Sequence, residues 1–120
     1  MPYIEIKTTQ KLTREQKIKI TEKLTEAFAK ASSPDCAKNI QYSVEDGVFM
    51  NFKGNYNDPT ANVYVRPGYL TPESDYEKII LAFFPVLTEL LDIPKNRIYI
   101  SFNEVRAWGF DGIYVPPKPE

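Results

Sequence analysis

Two phrases decide the reading of the fold: LTREQ (Leu12–Gln16) and, at an offset of 58, LTPES (Leu70–Ser74). Each places a threonine ahead of a polar turn and then an apolar stripe at helical spacing, the signature of a helix start. In the first, Thr13 is suited to cap the helix and Gln16, three residues later, completes a capping box. In the second, Thr71 is the expected cap and Pro72 takes the first helical position, where its missing N–H costs nothing. The first stripe is Ile20, Leu24, Ala27, Phe28 and Ala31. Lys17, Lys19, Glu22, Lys23 and Glu26 fall mostly off it and form an expected solvated face. The second stripe is Tyr76, Ile79, Ile80, Phe83, Leu87, Leu90 and Leu91. Pro85 interrupts it, removes the bond to the Leu81 carbonyl and is expected to bend the helix.

Outward from the helices lie strands. Tyr3–Thr8 alternates, with Ile4 and Ile6 sharing parity with Pro2 while Glu5 and Lys7 point the other way. The first helix is expected to stop before Ser32-Ser33-Pro34-Asp35. NIQYSVEDGVFMNF (residues 39–52) then predicts a strand, an Asp46-Gly47 turn and a short second strand. NVYVRPG (62–68) and RIYISF (97–102) predict two more, Ile98 matching Ile40 at the same offset. Each half therefore reads strand–helix–strand, with parallel pairing across each helical crossover. The expected fold class is α+β: a tandem β-α-β repeat, a four-stranded mixed sheet with two helices on one face. Residues 1–120 form a single domain, with about 113–120, ending in VPPKPE, as an extended C-terminal tail. The uncovered face would carry Tyr3, Glu5, Lys7, Tyr99 and Ser101, a mixed aromatic surface that predicts an oligomer with pockets at its interfaces.

Composition excludes several chemistries. With 15 basic and 16 acidic side chains the net charge is −1, a poor match for gripping a phosphate backbone, so no nucleic-acid partner is expected. The sequence contains no histidine, which removes the usual general base, the commonest metal ligand and every Ser-His or Cys-His arrangement. Cys36 is the single cysteine, so neither an internal disulfide nor a zinc cluster nor CxxC chemistry is available. Gly54 and Gly68 are isolated rather than part of a phosphate loop. No basic-then-apolar signal pattern opens the sequence, and no apolar run reaches the roughly 18–20 residues of a membrane span. No membrane partner and a cytoplasmic location are the expectations.

MPYIEIKT (1–8), EDGVFMNFKGN (45–55), IPKNRIYISFNEV (93–105) and WGFDG (108–112) together closely resemble the macrophage migration inhibitory factor and D-dopachrome tautomerase family, within the tautomerase superfamily. The likeness runs from Pro2 to about Gly112. It implies a homotrimeric, tautomerase-like barrel of three sheets around a channel, with active sites between neighbouring subunits. It also implies an isomerase: keto–enol tautomerisation of compounds such as phenylpyruvate, without cofactor, by an N-terminal proline base. Some animal members are leaderless secreted cytokines, so a cytokine-like role with a receptor partner is the alternative function.

The residues give that chemistry a physical basis. A base that takes a proton beside a carbonyl works best with a pKa near working pH. A chain-terminal amine starts at about 7.7–8.0, and burial among apolar groups lowers it. Removal of Met1 is essential, because with Met1 attached Pro2 is an amide with no basic nitrogen. Pro2 is thus the candidate base; its bland alternative is a strand-leading proline without chemistry. Tyr99 matches the family's active-site tyrosine and Ser101 stands where many members have asparagine. Both either bind substrate or simply line an interface. Trp108 and Phe110 resemble the aromatics at the pocket mouth, or serve as packing. The family's substrate lysine is missing or displaced, with Lys38 the nearest substitute or else a surface lysine. The family's serine-isoleucine-glycine segment appears as Arg66-Pro67-Gly68. Pro67 has no N–H to offer, while Arg66 is either a carboxylate grip or one more exposed cation.

Overall fold

The computed structural model describes residues 2–117; Met1 and the end of the expected tail, 118–120, lie outside them. In chain order the elements are β1 (Tyr3–Thr8), α1 (Arg14–Ala31), a short α2 (Pro34–Ala37), β2 (Gln41–Glu45), β3 (Ala61–Arg66), α3 (Tyr76–Leu91), β4 (Ile98–Phe102), β5 (Trp108–Phe110) and β6 (Ile113–Val115). The main sheet has the order β2-β1-β3-β4. β1 pairs parallel with β2 and β3 parallel with β4, while β1 and β3 run antiparallel and join the two halves. This is the expected mixed sheet of two β-α-β units.

The apolar parity of the strands explains where the core lies. Ile4, Ile6, Val63, Val65 and Ile98 are buried on one face of the sheet, against Ile20, Leu24 and Phe28 of α1 and Ile79, Phe83, Leu87 and Leu91 of α3. The Phe28 and Phe83 rings meet at 6.4 Å between centroids, where the two helices cross. The capping box at Thr13 forms as read. Its hydroxyl accepts the Gln16 N–H at 3.2 Å, and the Gln16 side chain accepts the Thr13 N–H at 2.7 Å. Two buried threonines bind the sheet to its loops: Thr8 donates to the Thr60 carbonyl at 3.2 Å and Thr60 to the Arg97 carbonyl at 2.7 Å.

Four local expectations change. Asp46-Gly47 does turn, with Gly47 at φ 60°, but no second strand folds back on β2. The chain turns toward β1 instead: the Gly47 N–H donates to the Gln10 carbonyl at 2.9 Å and the Val48 N–H to the Thr8 carbonyl at 3.0 Å. Asp46 anchors that path, accepting the Leu12 N–H at 2.9 Å and pairing with Lys17 at 2.7 Å, so Lys17 is not merely solvated. The second helix starts later than LTPES predicts. Pro72 is extended, a 3₁₀ turn spans Glu73–Asp75, and α3 begins at Tyr76; Thr71 is fully buried one residue before the cap position. Pro34 does not just end α1 but opens α2, capped by Ser33, whose hydroxyl accepts the Asp35 N–H. Finally, the first residues of the expected tail, Ile113–Val115, are strand β6, because Asp111-Gly112 folds them back on β5. Both turn residues have positive φ, 54° and 73°, as a two-residue Asp-Gly hairpin requires.

Two stability predictions follow from these caps. Thr13→Ala removes the box and is expected to cost about 1 kcal/mol, within about 0.5–2, read as a lower urea midpoint at unchanged slope. Asp46 is held below the usual carboxylate range, first by its hydrogen bond to Lys17 and then by the Leu12 N–H. A lowered folded-state pKa stabilises above the unfolded value and loses that contribution as pH falls through the folded value. Asp46→Asn is therefore expected to destabilise at about pH 7 and to converge on wild type as acid carries the pH below the folded-state value; a gap that persists in acid would contradict the assignment.

Candidate active site

Pro2 leads β1 and is buried, its carbonyl accepting the Gln41 N–H at 3.0 Å, so the β1–β2 ladder continues up to the ring. The segment after β3 closes over it. A Cβ placed on Gly68 would lie 3.1 Å from Cδ, 3.3 Å from Cγ and 3.4 Å from N of Pro2. Only a residue without a side chain lets the backbone approach the ring this closely.

Two cavities meet at Pro2. One, of about 260 Å³, is largely apolar, lined by Cys36, Gly68, Leu70, Phe110 and Val115, with Asp35 its charged member. The other, of about 290 Å³, is lined by Tyr3, Gln41 and Arg66. Asn39, Trp108 and Phe110 border both. Trp108 and Phe110 get there because the β5–β6 hairpin folds over the end of the main sheet, with Trp108 paired to Val115. Arg66 lies between two aromatic faces, its guanidinium carbon 5.0 Å from the Tyr3 ring centre and 5.1 Å from that of Trp108.

The predicted residues divide into two groups. Pro2, Arg66, Gly68, Trp108 and Phe110 converge on the paired cavities. Lys38 does not border them; it is exposed and pairs at 3.2 Å with Asp35, which does line the apolar cavity. Tyr99 and Ser101 sit on β4, separated from β1 by β3, so within one chain they do not meet Pro2. Tyr99 is 59% exposed and leans on Phe52 at 5.4 Å, and Ser101 accepts a hydrogen bond from Asn103 at 3.2 Å. Cys36, Asn39 and Leu70 were not picked out as site residues by sequence. α2 delivers the first and the approach to β2 the second, and neither placement has a local signal. Leu70, exposed although apolar, was legible only as a marker of the repeat.

The phenols inside the fold are poor candidates for the proton-transfer base. Tyr42 is pushed up to about 12 by burial, although its bond to Thr25 works the other way. Tyr76 is raised by burial and then by Glu104, whose carboxylate accepts its hydrogen bond at 2.7 Å. Both stay protonated at neutral pH. Among the described residues no three His, Cys, Asp or Glu side chains cluster as metal ligands, and no helix is long and apolar enough to cross a membrane.

Residues 1–114 match the family model described as macrophage migration inhibitory factor (MIF). The chain belongs to the MIF family. No curated protein matches it significantly. Among solved structures, MIF2 of Leishmania major is 17% identical with a TM-score of 0.85, covering 96% of this chain and 97% of that one. The MIF homologue of Prochlorococcus marinus is 28% identical with a TM-score of 0.77, covering 93% and 97%. A third, Pt0534 inactivated by 2-oxo-3-pentynoate, is 20% identical with a TM-score of 0.77, covering 92% and 93%. These likenesses match the four-stranded sheet and its two long helices to a MIF fold.

Proposed function

We propose that this MIF-family protein is a cofactor-free keto–enol tautomerase of small α-keto or enol acids, with Pro2, freed of Met1, as general base. The observation that carries the proposal is the burial of Pro2 where two cavities meet, under a glycine backbone that fixes its ring. Apolar neighbours disfavour the ammonium form and keep the amine neutral and basic near pH 7. The following strand aims the lone pair, which supplies orientation at little entropic cost. In the step proposed, the Pro2 nitrogen takes a proton from the carbon next to the ketone. The C–H electron pair becomes the C=C bond of the enol, the C=O π pair moves onto the oxygen, and that oxygen takes a proton from water while Pro2 returns its own to water. Nothing is oxidised or reduced. That a 2-oxo compound inactivates the fold relative Pt0534 agrees with this substrate class.

Tyr99 and Ser101 enter this reading through assembly. In a homotrimer the exposed β4 edge of one protomer would reach the Pro2 cavity of the next. The exposed rings of Phe49, Tyr56 and Tyr99 support association through that side of the molecule.

A second reading, a signalling or binding protein with a relaxed pocket, is favoured by Lys38, which does not border the cavities and is engaged with Asp35. Two measurements separate the readings. Intact mass is expected to show loss of Met1, and Pro2→Ala is expected to lower phenylpyruvate kcat/KM by about 10²–10⁴-fold. Equal rates, or a retained methionine, would favour the binding protein. Gly68→Ala pushes a methyl group against the Pro2 ring and is expected to lower kcat by tenfold or more on the order-of-magnitude scale of reactant misplacement, with little change in melting temperature.

A further inference from the structure

The reading above leaves the acidic end of the substrate without a partner, since Lys38 is turned away and Pro67 has no N–H. Resting on that reading of the Pro2 pocket, we propose that Arg66 is its carboxylate-binding residue and sets its preference for anionic over neutral ligands. Arg66 ends β3 directly opposite Tyr3 in the antiparallel register, which brings its side chain to the residue next to Pro2. Its Nε is buried and meets no hydrogen-bond acceptor. Among the described residues no carboxylate pairs with it; the ion pairs formed by them involve Lys7, Lys17, Lys23, Lys38 and Lys78 instead. Among the described residues it is also the one charged side chain bordering the 290 Å³ cavity, where its neighbours are aromatic rings and the amides of Asn39 and Gln41.

Arg66 is half-buried, with its Nε shut off from solvent and lacking an acceptor, and its planar fork matches a carboxylate in two parallel hydrogen bonds. The Tyr3 and Trp108 rings, at 5.0 and 5.1 Å, flank that fork and limit its orientation. The two cavities then take the two ends of one molecule. The carboxylate lies at Arg66, and the apolar body lies between Leu70, Phe110 and Val115. Pro2 borders both, so it faces the middle of the ligand. In a 2-keto acid the carbon that loses its proton lies there, between the acid group and the side chain. Asp35 also lines the apolar cavity, but its carboxylate is exposed and paired with Lys38 at 3.2 Å, which offsets its charge.

The test uses the full-chain protein and unreactive ligands. 3-Phenylpropionate and 3-phenylpropanamide differ only at the acid group and have no ketone, so their binding is independent of catalysis. Trp108, the single tryptophan, stacks on Arg66 and reports binding by fluorescence. Wild type is expected to prefer the acid by about tenfold or more, the weight of one charge-assisted pair. Arg66→Gln should abolish that preference while leaving amide binding within a factor of about two, an order-of-magnitude tolerance. Arg66→Lys, which keeps the charge but loses the fork, should retain part of it. If Arg66 only staples Tyr3 to Trp108, Arg66→Gln will lower the melting temperature and leave the acid preference intact, which overturns the proposal. Absence of any acid preference in wild type overturns it as well. Should Arg66→Gln fail to fold, an Arg66→Lys variant with undiminished preference does the same. A protein with an Arg66-dependent acid preference but no tautomerase activity would sink the catalytic reading and leave this one standing.

Discussion

The pairing of β1 with β3 is the constraint on which everything else depends. It is the one ladder that joins the two β-α-β halves, running antiparallel from Tyr3–Arg66 to Thr8–Ala61. Because side chains alternate, a slip of one residue would exchange the faces of the whole strand. Ile4, Ile6, Val63 and Val65 would turn outward, and Glu5, Lys7 and Tyr64 would enter the core. The hydrophobic effect therefore holds the register with several buried aliphatic side chains, each worth about 1.5–3 kcal/mol. That same register delivers Arg66 beside Tyr3 and lays Gly68 over Pro2. Site geometry and core packing are set by one set of contacts.

A second element completes the pocket without belonging to the core. The β5–β6 hairpin is a separate two-stranded sheet, turned by Asp111-Gly112, and places Trp108 and Phe110 over the end of β1. Its grip on the main sheet includes the Arg66 stack. The Pro2 ring is buried at the head of β1, with a largely apolar cavity on one side of it. The MIF family membership gives this arrangement its context, while the Arg66-Pro67-Gly68 segment gives this chain its own lining beside Pro2.

The opposite side of the sheet presents a different problem. Tyr3, Glu5, Tyr64, Tyr99 and Ser101 share the face that no helix covers, and the rings of Tyr99 and Phe52 lean on each other at its margin. Such a surface mixes aromatic area with hydrogen-bonding groups, as protein interfaces do. It is also where Tyr99 and Ser101 would have to act, since their own chain keeps them a strand away from the Pro2 cavities.

Much of the architecture was legible in the chain. Parity in Tyr3–Thr8, the two apolar stripes and the repeated LTREQ and LTPES phrases specify two β-α-β units, because local periodicity and burial are the same fact seen along and across an element. Thr13 and Gln16 formed their box because both partners lie within one turn. The failures were at positions where a distant segment competed. Val48 found the carbonyl of Thr8 rather than a hairpin partner, and Thr71 was drawn into the interior when Pro72 stayed extended. For the site, Pro2, Gly68, Trp108 and Phe110 were visible as residue types. Their convergence, the exclusion of Lys38 and the aromatic cage of Arg66 were not. Spacing along a chain determines which face a side chain takes; the packing of elements far apart in sequence decides which faces meet.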